Sequence, residues 1–145
     1  MGYPIYRGEV EELEGKPPFG DGECVALPQG LTSVGPTIRW RPGPRVVDLS
    51  FLNPGAVIAN FVFDSKGAGR FPNKHGYHAA LFVEFGPRNM ATGRATRIWM
   101  MDQWRGRQKN TVHKRYVEAR GERSFTQGNP YSDSENADQY YVVMI

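Results

Sequence analysis

His78-Ala79-Ala80-Leu81-Phe82-Val83-Glu84-Phe85 is an apolar stretch of strand length. Thr96-Arg97-Ile98-Trp99-Met100-Met101-Asp102-Gln103-Trp104 follows it across a turn marked by Gly86-Pro87 and Gly93. Two such runs joined by a short Gly- and Pro-bearing segment read as an antiparallel hairpin. Its register decides which side chains meet. With the turn centred on Met90, directly opposed residues have numbers that sum to 180. Glu84 then faces Thr96, Leu81 faces Trp99 and His78 faces Asp102. Opposed residues project to the same side, with Cβ atoms about 4.5–5.5 Å apart. The hairpin therefore sets an imidazole beside a carboxylate at its open end. A bulge in either strand moves the partner by one residue and makes Gln103 the alternative.

Outward from the hairpin the chain continues as sheet. Residues 56–63 (Ala-Val-Ile-Ala-Asn-Phe-Val-Phe) are nearly all apolar, as a strand buried on both faces would be. Residues 112–119 and 140–145 read as further strands. The Gly-rich segments 15–22 and 64–76, the Pro-rich segment 35–48 and the polar segment 126–138 read as loops. One helix is expected, from Cys24 to about Val34, with Asp21 or Gly22 near its N-cap. Pro28 is tolerable in a first turn, and Gly30 weakens the helix. One helix followed by a meandering sheet is an α+β arrangement.

Composition removes several classes of function. The chain has 145 residues, 12% aromatic and 39% apolar, enough to fold as one domain and too apolar for disorder. Its single cysteine excludes an intramolecular disulfide and a Cys-rich zinc site. The N-terminus, Met1-Gly2-Tyr3-Pro4-Ile5-Tyr6, lacks the basic start and apolar stretch of a signal peptide. No apolar run approaches the roughly 20 residues of a membrane span, so no membrane insertion is expected. A net charge of +3 allows contact with anionic surfaces. The basic stretch 105–115, with Trp99 and Trp104 nearby, has some features of a nucleic-acid surface. A solvated, charged sheet edge accounts for the same residues, and no nucleic-acid partner is expected.

Cys24 carries the chemical interest. It follows a Gly-rich loop and opens the expected helix, where free backbone N–H groups would stabilise a thiolate. The alternative is a small buried hydrophobe, the commonest role of a lone intracellular cysteine. With the imidazole and carboxylate of the hairpin, Cys24 would complete a Cys-His-Asp set in chain order. His75 reads as a solvated loop residue and His113 as part of a basic face. A metal held by His75 and His78 would lack a third ligand.

The segments Gly22-Glu23-Cys24-Val25-Ala26-Leu27, His78-Ala79-Ala80 and Asp102-Gln103-Trp104 resemble those of papain-like cysteine peptidases and amidases of bacterial cell walls, the NlpC and CHAP types. With the closing Asn136-Ala137-Asp138-Gln139-Tyr140-Tyr141-Val142-Val143, the chain is most similar to the small bacterial BPSL type. The resemblance spans essentially residues 1–145. It implies a single papain-like domain in which an N-terminal helix bearing the cysteine packs on an antiparallel β-sheet. It implies Cys24 as nucleophile, His78 as general base and Asp102 as the group that orients the imidazole, with Gln103 and Glu23 as auxiliary residues. Glu23 stands where CHAP-type enzymes often carry a glutamine. Its carboxylate would repel an oxyanion, which leaves that part to backbone N–H groups. The implied substrate is a peptide amide of peptidoglycan, with no cofactor. Enzymes of this kind without a signal peptide are often toxins injected by type VI secretion. Such a toxin is cytoplasmic in the producer, acts in the periplasm of a target cell and is countered by an immunity protein; the missing signal peptide fits a cytoplasmic housekeeping enzyme equally well. A non-catalytic glycan- or protein-binding domain on the same scaffold is the alternative.

Overall fold

The structure, a computed structural model, describes residues 2–106 and 111–145. Six strands form one antiparallel sheet: β1 (Arg41–Arg45), β2 (Val57–Ala59), β5 (Ala79–Phe85), β6 (Arg97–Asp102), β7 (His113–Glu118) and β8 (Tyr141–Met144). Their spatial order is β1-β8-β2-β5-β6-β7. β3 (Val62–Phe63) and β4 (Gly69–Arg70) pair separately as a small ribbon. Among the described residues there is one α-helix, α1 (Ala26–Leu31), and several single turns of 3-10 helix.

The apolar runs are continuous because the sheet is covered on both faces. On β5, Ala79, Leu81 and Val83 join Leu27 of α1, Val10, Leu13 and Trp40 in one core. Ala80 and Phe82 point the other way, into a second core with Val46, Val47, Ala137 and Tyr140. Strands buried on both faces lose the polar alternation of a half-exposed sheet. The edges obey a different rule. β1 has the sequence Arg-Pro-Gly-Pro-Arg, and its pairing with β8 is irregular between Pro42 and Arg45. Proline donates no ladder hydrogen bond, so a strand that contains it belongs at an edge. Segment 35–48 was expected as loop for those prolines, yet it contains this edge strand.

The hairpin is present, with a different register. Leu81 opposes Met101 and Phe82 opposes Met100, which are pairs summing to 182. Past an irregularity between Phe82 and Glu84, Glu84 opposes Trp99 and Phe85 opposes Ile98. Continuing the first register sets Asp102 opposite Ala80, two residues from His78. The two-residue offset keeps His78 and Asp102 on one face as diagonal neighbours.

The long expected strand at 56–63 breaks after Ala59, at Asn60, a fully buried amide. The expected helix is shorter than 24–34 and starts later. Val25 is its N-cap, and it ends where Thr32 turns back with both its N–H and its hydroxyl on the Pro28 carbonyl (3.0 and 2.7 Å). Gly22 has φ 86°, a left-handed conformation that cannot continue into a helix. Asp21 accordingly caps a turn, accepting from the Glu23 N–H at 3.0 Å. Cys24 therefore lies in the turn before α1 and not within the helix.

Candidate active site

Three elements bring Cys24, His78 and Asp102 together. Cys24, partly buried, is delivered by the turn ahead of α1. His78 immediately precedes β5, and Asp102 ends β6. His78 Nε2 is 2.7 Å from Asp102 Oδ2, and both side chains are nearly inaccessible. With Nε2 held by the carboxylate, Nδ1 is the ring nitrogen left for the thiol. Burial disfavours the charged imidazole. Hydrogen bonding and charge attraction from Asp102 and Cys24 outweigh it and raise the His78 pKa from 6.5 to about 9. Burial likewise pushes the Asp102 carboxyl up, but the imidazole of His78 and the guanidinium of Arg115 hold it below its ordinary value. The arrangement favours an imidazolium beside an ionised carboxylate, with a thiol in reach of the ring.

The surroundings of this pair are dense. Arg115 Nε donates to Asp102 Oδ2 at 2.7 Å, its Nη1 lies 3.7 Å from Glu135, and its guanidinium covers the Trp104 ring at 5.0 Å. His113 Nε2 lies 3.3 Å from Asp102 Oδ1, while its Nδ1 meets the Thr111 carbonyl at 2.9 Å. A carbonyl only accepts, so Nδ1 carries the proton. Trp104 stands edge-on between the two imidazoles, with ring centroids 5.9 Å from His78 and 4.9 Å from His113.

Asn60 fixes the other side of His78. Its Oδ1 accepts the His78 backbone N–H at 2.9 Å, and its own N–H donates to the His78 carbonyl at 3.0 Å. The Asn60 amide also donates to the carbonyls of Asp133 (3.2 Å) and Gln139 (2.9 Å). Sequence reading passed over Asn60, Arg115 and the approach of His113. An isolated amide inside an apolar run was the available signal for Asn60.

Gln103 does not face His78. Its Oε1 accepts the Phe19 N–H at 2.7 Å, and its Nε2 donates to the carbonyls of Phe19 and Glu23, both at 2.9 Å. Its two amide hydrogens are thus engaged by the loop that carries Cys24. Glu23 is exposed, with Arg105 Nε 3.4 Å from its carboxylate. Of the basic stretch 105–115, residues 107–110 lie outside the described residues. Arg105 is near Asp21 and Glu23, Lys114 pairs with Glu11, and Arg115 with Asp102.

Above the three residues opens a cleft of about 780 Å³, lined by Cys24 and His78 together with Glu23, Lys74, Trp104 and Glu135. His75 also lines it. Among the described residues, no group of three His, Cys, Asp or Glu side chains converges to hold a metal ion. No described helix is long and apolar enough to cross a membrane.

Residues 8–143 match the family model described as domesticated amidase effector 2. The chain belongs to the amidase effector 2 family. A type VI secretion amidase effector 2 protein from Salmonella typhi is 36% identical over 129 aligned residues, and the match covers 83% of this chain and 84% of the relative. A solved structure titled type 6 secretion amidase effector 2 (Tae2) superposes with a TM-score of 0.77 at 31% identity, covering 97% of this chain and 94% of that one. The motifs had placed the chain among amidases; within that breadth the family shown is amidase effector 2, and the BPSL type gains no support. The relatives are similar in length to this chain, so the amidase effector 2 resemblance extends beyond the site to the whole sheet.

Proposed function

We propose that the chain is a single papain-like cysteine amidase domain that hydrolyses an amide bond in peptidoglycan stem peptides or cross-links. The observation that carries this reading is the His78 imidazole, held on Asp102 at 2.7 Å and interacting with Cys24 at the floor of an open cleft. The Cys24 thiolate attacks the substrate carbonyl, and the tetrahedral oxyanion is received by backbone N–H groups of the Cys24 turn. Both amide hydrogens of Gln103 are occupied and Glu23 is anionic, so neither side chain suits that task. Protonated His78 gives its proton to the leaving amine as the C–N bond breaks, leaving a thioester on Cys24. Neutral His78 then takes a proton from water, whose oxygen attacks the thioester; the C–S bond breaks, the product leaves as a carboxylic acid that ionises in solvent, and the thiolate–imidazolium pair is restored. Asp102 keeps the ring oriented and stabilises its charge throughout.

Family membership supports a role as an antibacterial effector exported by a type VI system, acting in the periplasm of a target cell and restrained in the producer by an immunity protein. The net charge of +3 suits an anionic wall. Incubation with purified sacculi tests the reading. Wild type is expected to release soluble muropeptides whose mass analysis names the bond, and Cys24→Ala is expected to release none while keeping its fold. Equal release by both proteins would refute it.

A further inference from the structure

We propose that Gln103 is a positioning residue for the nucleophile, clamping the loop that delivers Cys24 onto the strand that delivers Asp102. This rests on the reading of Cys24 as nucleophile. Gln103 is almost fully buried and directly follows β6. One planar amide makes three bonds to the loop: it accepts from the Phe19 N–H (2.7 Å) and donates to the Phe19 and Glu23 carbonyls (2.9 Å each). The Glu23 carbonyl belongs to the peptide group whose nitrogen is that of Cys24, so the clamp ends one bond from the nucleophilic residue. The same carbonyl accepts the Ala26 N–H at 3.1 Å, which ties the clamp to the start of α1.

Apart from Gln103, the loop is tied within itself, by the Gly22 N–H on the Phe19 carbonyl (3.1 Å) and the Glu23 N–H on Asp21 (3.0 Å), and at its surface. Gly20 and Gly22 both adopt positive φ, and the helix that follows has only six residues. Arg105 adds a tie at the surface, donating twice to the Asp21 carbonyl (2.8 and 3.2 Å). The division of labour follows from the alternation of side chains along an extended chain. Asp102 projects to His78 and its neighbour Gln103 projects to the nucleophile loop. One dipeptide thereby sets the separation of thiol and imidazole. No similar residue can substitute: Glu lacks the two donors, Met lacks all polar atoms, and Asn is one methylene too short.

Gln103→Met tests this, read by three measurements. Alkylation of Cys24 by iodoacetamide at neutral pH is expected to slow about tenfold, equivalent to roughly 1.4 kcal/mol. The kcat on sacculi is expected to fall about 100-fold with KM nearly unchanged, the cost of a displacement near 1 Å. The NMR titration midpoint of His78 is expected to fall but to stay above 6.5, because the contribution of Cys24 weakens while that of Asp102 is untouched. Wild-type alkylation and kcat in a folded Gln103→Met protein would overturn the proposal. Hydrogen exchange on the wild-type protein keeps the question decidable if the variant does not fold. The Phe19 amide is expected to exchange as slowly as those of β6, and exchange at the rate of an open loop would overturn the proposal. Alkylation and exchange need no substrate, so a wild-type protein inactive on sacculi would refute the function without deciding the clamp.

Discussion

Replacing Asp102 by Asn keeps the shape of the side chain and removes its charge. His78 then loses its strongest stabilising partner, and the Arg115 guanidinium is left facing the imidazole without the carboxylate between them. The raise of the His78 pKa from 6.5 to about 9 corresponds to about 3 kcal/mol favouring the charged ring. Because the folded-state value lies above the unfolded one, this stabilisation is complete below pH 6.5 and disappears as pH rises through 9. In Asp102→Asn the interaction with Cys24 remains, but burial and Arg115 oppose it. The His78 midpoint is expected to fall by about two units or more, towards or below 6.5. Two assays read this independently. The alkaline limb of kcat/KM, which reports the free enzyme, is expected to move from near 9 to near 7 or lower. Urea unfolding at pH 6 is expected to show a loss of roughly 3–5 kcal/mol, the usual cost of leaving a buried charge unpaired. At pH 10 the loss is expected to be smaller, since wild type no longer has the imidazolium to lose. An alkaline limb that stays near 9 in the variant would refute the assignment of Asp102 as the group that holds His78 charged. So would a stability loss that is the same at pH 6 and pH 10.

Two further substitutions probe the supports of the same pair. Arg115→Met removes one of the groups that keep Asp102 ionised, so the acid limb of kcat/KM is expected to move to higher pH, with Arg115→Lys restoring the limb but only part of kcat; an acid limb unchanged in Arg115→Met would count against it. Asn60→Leu strands the Asp133 and Gln139 carbonyls and frees the His78 backbone N–H, at about 1–3 kcal/mol for each group left unsatisfied. Denaturant unfolding is expected to show a loss of several kcal/mol, and one below about 1 kcal/mol would mean that water replaces the amide at no cost.

Much of this site was legible because strand geometry is forgiving in one respect. The expected register paired residues summing to 180, and the observed one sums to 182 near the site. A shift of one residue would have turned Asp102 to the other face; a shift of two preserved the face and left a diagonal contact that the imidazole and carboxylate close at 2.7 Å. The start of the helix was less legible. Asp21 and Gly22 have the composition of an N-cap, but the positive φ of Gly22 makes them a turn, and helix propensity says nothing about that choice. The edge strand β1 was hidden for a similar reason, because two prolines suit a loop and a sheet edge equally well.

His113 and Arg115 were missed because a basic stretch on an edge strand is ordinarily solvated, and for half of β7 that description is correct. Register separates the halves. Asp102 opposes His113, Met100 opposes Arg115 and Ile98 opposes Val117. Opposed residues share a face, so His113, Arg115 and Val117 project with Asp102 to the side where Met100 and Ile98 form the second core. Lys114, Tyr116 and Glu118 project to the other side, where Lys114 reaches Glu11 and Tyr116 is exposed. The charge pattern alone cannot make this distinction, since His113, Lys114 and Arg115 are consecutive and so put basic residues on both faces of the strand. Once the β6–β7 register is known, parity alone nominates His113 and Arg115 as neighbours of the buried carboxylate. A polar side chain on the core-facing side of a sheet must find a partner there, and both His113 and Arg115 approach Asp102.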